Sequence, residues 1–159
     1  MKVVIPGGSG QVGSLLTRAL AQDGHDVVVL SRGQAVNGTR TVTWDAQKAG
    51  PWVDEIDGAD VVINLAGRNV NCRYSDTNRR AIIQSRVRTT RIVGEAIAGA
   101  KRPPRVWLQA STATIYAHRF DAPNDEATGI LGGHERDVPA TCGSAFPPPR
   151  GCSSWAPSR

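Results

Sequence analysis

Apolar positions along the chain fall in short unbroken runs separated by polar and glycine-rich stretches. Val3-Val4-Ile5, Val27-Val28-Val29-Leu30, Val61-Val62-Ile63 and Val106-Trp107-Leu108 are such runs. Their continuity predicts strands buried on both faces, because a half-exposed strand would alternate. Thr41-Val42-Thr43-Trp44 predicts a further short strand, ending at Asp45. The intervening stretches carry helical spacing. One helix is expected from Val12 to Ala21, closing near Gly24, and a short one from Pro51 to Asp57 with proline in its first turn. A long one is expected from Tyr74 to Ala100, with Ile83, Val87, Thr90, Gly94 and Ile97 near one face. Arg79, Arg80, Arg86, Arg88 and Arg91 fall largely elsewhere and read as a solvated surface. Pro103-Pro104 separates this helix from the last strand. Alternation of strand and helix predicts an α/β fold: a Rossmann-type doubly wound parallel sheet, order 3-2-1-4-5, with right-handed crossovers.

The first strand runs straight into Gly7-Gly8-Ser9-Gly10-Gln11-Val12-Gly13, and a helix opens from those glycines. Strand, glycine turn and helix in that order are what a dinucleotide pyrophosphate requires. Gly7 permits the tight exit turn, Gly10 the approach of phosphates to bare backbone, and Gly13 close packing of the helix. The unpaired N–H groups at the helix start, with the positive end of its dipole, then face the anion. The second strand ends in Ser31-Arg32-Gly33, with no acid to bond a ribose 2′-hydroxyl. An arginine there accommodates a 2′-phosphate, so NADP is expected rather than NAD. A solvated surface arginine is the plainer alternative for Arg32.

Composition narrows the class. The chain has 159 residues, 40% hydrophobic and 21% charged, as expected of one globular domain with a real core. No apolar run nears the roughly 18 residues of a membrane span, and the start shows no leader pattern, so a cytoplasmic location is expected. The net charge of +5 comes mainly from arginine, with aromatics at 5%. Nucleic-acid binding, which favours basic residues interleaved with stacking rings, is not expected. Cys72, Cys142 and Cys152, even with His118 and His134, match no zinc spacing, so no metal site is expected.

Together, the glycine loop, Asp45, Asn64-Leu65-Ala66-Gly67 and Ser111-Thr112 resemble an extended short-chain dehydrogenase/reductase of the NAD(P)-dependent epimerase/dehydratase superfamily. The stretches from Asn64 to Arg68, Ser85 to Arg91 and Glu95 to Ile97 resemble a subgroup of sugar-nucleotide epimerase-like proteins, some described as cell-division inhibitor-like. The resemblance covers about residues 1–138, which would form the NAD(P)-binding domain. It implies that Asp45 approaches the adenine. Asn64, Leu65, Ala66 and Gly67 would line the adenosine and nicotinamide-ribose side. Ser111 would stand beside the nicotinamide as a catalytic hydroxyl holding the oxygen of a small-molecule substrate, such as a nucleotide sugar or another carbonyl compound. The local alternatives are loop bonding for Asn64, capping or turn roles for Ser111 and Thr112, and core packing for Tyr116.

In such families a tyrosine with a lysine four residues on exchanges the substrate proton. Here Tyr74 is followed by Asn78 and Tyr116 by Phe120, so the pair is absent. Residues 139–159 hold five of the chain's ten prolines and no Asp, Glu or Lys, and they cannot bury enough surface to offset ordering entropy. Their bias is that of GC-rich DNA read out of frame. A frameshift near residue 140 is therefore expected, truncating a longer reductase-like protein before its last strands and substrate part; a genuine disordered tail is the alternative. The expected function is the NADP-binding domain of an epimerase/dehydratase-like oxidoreductase, incomplete and weakly active or inactive. The competing class is a non-catalytic NADP(H)-binding redox sensor or regulator. Truncation would leave Val106-Trp107-Leu108 on an open edge with an uncovered face, favouring self-association.

Overall fold

The computed structural model describes residues 1–33, 38–73, 75–112, 116, 117, 123–125, 127, 129 and 130. The chain divides into two compact units, Met1–Ala110 and Ser111–Arg159. Tyr74, His118, His134 and the 139–159 tail lie outside the described residues.

The first unit runs β1 (Lys2–Pro6), α1 (Gln11–Gln22), β2 (Asp26–Ser31), β3 (Arg40–Thr43), α2 (Val53–Ile56), β4 (Val61–Asn64), α3 (Asp76–Gly99) and β5 (Val106–Gln109). The strands form one sheet in the order β3-β2-β1-β4-β5, every pair parallel, as the alternation of elements predicted. The unbroken apolar runs have the expected cause. In β1, Val4 points into a cluster with Val28, Val62, Trp52, Ile56 and Val93, while its neighbours Val3 and Ile5 join Val27 on the other face. Each fully buried aliphatic side chain stabilises by about 1.5–3 kcal/mol relative to exposure.

One helix covers each side differently. α1 buries only Gly13 and Thr17, small residues that let it lie close to the sheet. α3 starts at Ser75, whose hydroxyl accepts the Asn78 N–H, and buries Thr89, Thr90, Ile92, Val93 and Ala96. Trp44 and Trp52 meet edge-to-face at 5.3 Å between ring centroids, and Trp52 Nε1 donates to the Lys48 carbonyl. That pair closes the core beneath the loop after β3. Glu55, 8% exposed, is held by Lys2 at 3.3 Å and Arg40 at 2.6 Å, tying α2 to β1 and β3.

The last strand, β5, is an edge of the sheet as expected, but the side chain of Trp107 is covered: it packs against the larger cluster, and a Cβ on Gly94 would lie 3.2 Å from its ring. Strand alternation sends only its neighbours outward, with Val106 at 44% and Leu108 at 52% exposure. In the second unit, Tyr116 is half-buried against Gly129, while Ala117 N–H donates to the Ile130 carbonyl and Asn124 Nδ2 to the Ala117 carbonyl. The described contacts of Tyr116 are those of a packing residue.

Candidate dinucleotide site

The glycine loop is shaped by two different constraints. Gly7 has φ +79°, and a Cβ there would lie 2.8 Å from the Ala66 backbone. A Cβ on Gly13 would lie 2.5 Å from the Gly8 backbone, so the helix could not approach the turn. The protein's own packing therefore demands glycine at both positions. Gly10 differs: φ is −75°, and its nearest neighbour to a Cβ would be the Gly7 carbonyl at 3.4 Å. Among the described residues nothing forbids a side chain at Gly10. Its bareness matters only to something that lies against it.

Gly10 is also the N-cap of α1, with no side-chain cap and no acid in the first turn. The orphan N–H groups at this helix start are left without a side-chain acceptor, and no carboxylate competes with an incoming anion. Around this start opens a cleft of about 630 Å³. Its walls come from the glycine loop, the end of β2, the loop after β3, the loop after β4 and one side of α3.

Of the residues singled out in the sequence, Gly7, Ser9, Gly10, Ser31, Arg32, Asp45, Leu65, Ala66 and Gly67 line that cleft. Ser31 Oγ donates to Ser9 Oγ at 3.0 Å, fixing the glycine loop to the end of β2, and Gly7 N–H donates to the Leu30 carbonyl at 2.9 Å. Asp45 Oδ1 accepts the N–H groups of Gln47 and Lys48, which holds its carboxyl below the usual carboxylate range. Those bonds fix a turn in which Ala46 takes φ +58°, a left-handed conformation that a non-glycine residue keeps only when its surroundings enforce it. The second carboxylate oxygen of Asp45 has no part in these bonds.

Other candidates are placed differently. Gly8 and Gly13 lie beneath the loop as packing glycines, and Gln11 and Val12 open α1 with exposed side chains. Asn64 is fully buried: its Nδ2 donates to Gln109 Oε1 at 2.8 Å and its Oδ1 accepts the Ala66 N–H at 3.1 Å. Its side chain holds the loop that lines the cleft and does not reach the cleft wall. Ser111 is exposed and is the first residue of the second unit. Among the described residues no cluster of His, Cys, Asp or Glu could hold a metal ion, and no helix is long and apolar enough to cross a membrane.

The arginine-rich side of α3 is not a uniform solvated face, as the sequence suggested. Ser85 Oγ accepts the Arg68 N–H at 2.9 Å, Arg86 Nη1 donates to the Arg68 carbonyl at 3.3 Å, and Thr89 Oγ1 donates to the Ala66 carbonyl at 3.3 Å. Three side chains of one helix thus carry the loop after β4. Arg88 reaches the cleft itself, as do Arg68 and Gln47. A signal was present: Ala81, Ser85 and Thr89 recur every four residues, a small-residue stripe on which a loop can lie close.

The fold agrees with what known proteins show. The model of the NAD dependent epimerase/dehydratase family matches residues 3–133. The chain belongs to that family. It is 33% identical over 129 residues to the human epimerase family protein SDR39U1, a match spanning 79% of this chain and 42% of the relative. It is 34% identical over 119 residues to the epimerase family protein YfhF of Bacillus subtilis strain 168, covering 73% of this chain and 39% of that protein. The chain therefore spans about two-fifths of these relatives. The crystal structure of human SDR39U1 isoform 2 with NADPH matches with a TM-score of 0.67 at 31% identity, over 81% of this chain and 43% of that one. UDP-N-acetylglucosamine 4-epimerase from Bacillus cereus matches with a TM-score of 0.64 at 19% identity, over 82% of this chain and 42% of that one. That second likeness speaks for the fold. The family places this chain among the NAD(P)-binding proteins, and the bare Gly10 beside an uncapped helix start fits a pyrophosphate.

Proposed function

We propose that this chain is the NADP(H)-binding domain of an epimerase/dehydratase-like oxidoreductase. The observation that carries it is a cleft joining an uncapped helix start to Arg32 at the end of β2, with no carboxylate at that strand end. In this reading the pyrophosphate lies on Gly7, Ser9, Gly10 and the first N–H groups of Gln11, Val12 and Gly13, and Ser31 and Arg32 hold the 2′-phosphate. Asp45 accepts from the adenine, and Leu65, Ala66 and Gly67 bound the remaining wall, with Asn64 fixing their loop. When bound, the nicotinamide supplies a hydride acceptor or donor. The part left to this chain is to hold a substrate oxygen, a role we assign to Ser111 as a hydrogen-bond donor. The proposed substrate is a small carbonyl compound or nucleotide sugar, and the proposed location is the cytoplasm. The human SDR39U1 crystal structure holds NADPH, which supports the cofactor choice.

Nicotinamide fluorescence titration of NADPH and NADH tests this. NADPH is expected to bind more tightly, and Arg32→Ala to weaken NADPH by about tenfold while leaving NADH nearly unchanged, the effect of one lost charge-assisted contact. A preference for NADH would sink the role of Arg32.

A second reading is a redox sensor that binds NADP(H) without turnover. The absence of a Tyr-x-x-x-Lys pair favours it, because no tyrosine here has a lysine to lower its pKa. Tight NADPH binding with no oxidation across carbonyl substrates would support it. We also propose a second copy as the partner of the β5 edge. Two β5 strands related by a two-fold axis would pair antiparallel, satisfying the backbone groups of the edge and continuing the face on which Val106 and Leu108 lie. Sedimentation should show a dimer that Leu108→Lys converts to monomer; a monomeric parent protein would overturn it.

A further inference from the structure

A polar pair at the ends of β4 and β5 joins two strands beneath the cleft. Asn64 and Gln109 are partners in the parallel register, and Asn64 is fully buried. Three hydrogen bonds run through them with a fixed polarity. The Ala66 N–H donates to Asn64 Oδ1 at 3.1 Å, Asn64 Nδ2 donates to Gln109 Oε1 at 2.8 Å, and Gln109 Nε2 donates to the Ala110 carbonyl at 3.1 Å. A backbone N–H can only donate, so it decides which end of the Asn64 amide faces the loop after β4. Nδ2 is then left needing an acceptor away from water, and Gln109 Oε1 supplies it. Ala66 in turn lies against the glycine loop, where a Cβ on Gly7 would come within 2.8 Å of its backbone. Gln109 itself does not line the cleft.

We infer that Gln109 is a positioning residue for the dinucleotide: it holds Asn64 in one amide orientation, which sets Ala66 and so the wall of the phosphate cradle. The inference rests on the proposal that NADP(H) occupies this cleft. Without an acceptor at position 109, the buried Nδ2 carries a desolvation penalty. Turning the amide toward another acceptor relieves that penalty by giving up the Ala66 bond. The loop after β4 then loses an anchor, although every residue lining the cleft is intact.

The test titrates the full chain with NADPH by nicotinamide fluorescence, at high salt so that an added charge is screened. Gln109→Met keeps the length of the side chain and removes the amide, and it should weaken NADPH by about fivefold. Gln109→Glu keeps an oxygen for Asn64 but turns a second one on the Ala110 carbonyl. It should lower Tm, as Gln109→Met does, yet bind NADPH within about twofold of the wild type. Stability and affinity then part company, which a packing role alone would not produce. Affinity that falls in step with Tm in both variants overturns the role of Gln109, as does a Gln109→Met that binds NADPH like the wild type. Either result leaves NADP(H) binding intact. If Gln109→Met does not fold, Gln109→Ala takes its place in the same comparison. A wild type that binds no nicotinamide nucleotide overturns both readings.

Discussion

On the face carrying α2 and α3, buried residues from three strands and both helices form one cluster, with Trp44 and Trp52 at its end. On the opposite face the buried cluster is Val3, Ile5 and Val27, with Val61 and Ile63 only partly covered. The register Val61↔Val106 and Ile63↔Leu108 extends this second surface to β5, where exposure rises to about half. The loops that line the cleft are braced mainly from the closed face: Ser85, Arg86 and Thr89 of α3 hold the loop after β4, and Trp52 holds the Lys48 carbonyl. The difference separates two properties of one sheet. The closed side braces the loops that bound the cleft, whereas the open side leaves Val106 and Leu108 about half exposed.

The sharpest way to break this comparison is to truncate one large side chain on each face. Trp52→Ala removes a ring 2% exposed, its contact with Trp44 and its bond to Lys48, and should cost about 3–5 kcal/mol. Leu108→Ala, at 52% exposure, should cost less than about 1 kcal/mol. Urea denaturation of both variants decides it; equal losses would mean that the open face is covered in solution.

Gly13→Ala comes next. The added methyl would meet the Gly8 backbone at 2.5 Å, and backbone cannot swing aside as a side chain can. A cost of about 2–3 kcal/mol is expected, the range for overpacking a tight contact. Because the displaced segment is the phosphate loop, NADPH affinity should fall along with stability. Gly10→Ala has room in the protein, so it should leave the denaturation midpoint nearly unchanged and still weaken NADPH. If both variants lose stability alike, the distinction between a packing glycine and a guest-facing glycine is wrong.

That distinction marks how far the sequence could be read. Strand order was legible because central parallel strands bury both faces and leave unbroken apolar runs. The glycine loop was legible because its constraints act within a few residues of chain. α3 was legible only in part. Periodicity sorts apolar from polar positions, but it does not say whether a polar side chain meets water or a loop, so Arg86 and Arg88 read as surface. Asn64 posed the same difficulty at longer range, since its partner Gln109 lies 45 residues away. Trp107 was misjudged because a two-residue period puts it opposite its neighbours, on the covered side.

The smallest predicted effect probes the open face from within. Thr17 is 1% exposed, and its hydroxyl has no hydrogen-bond partner among the described residues. It occupies the contact where α1 meets the sheet, the position a small apolar residue would fill without cost. A buried hydroxyl without a partner carries a desolvation penalty that a methyl group of similar shape does not. Thr17→Val keeps the branched shape and removes the polar atom, so the unit should gain about 1 kcal/mol with NADPH affinity unchanged. A loss of stability on this change would show that the hydroxyl is satisfied in solution, and that α1 sits against the sheet through a polar contact. The open face would then be held by more than its buried aliphatic residues.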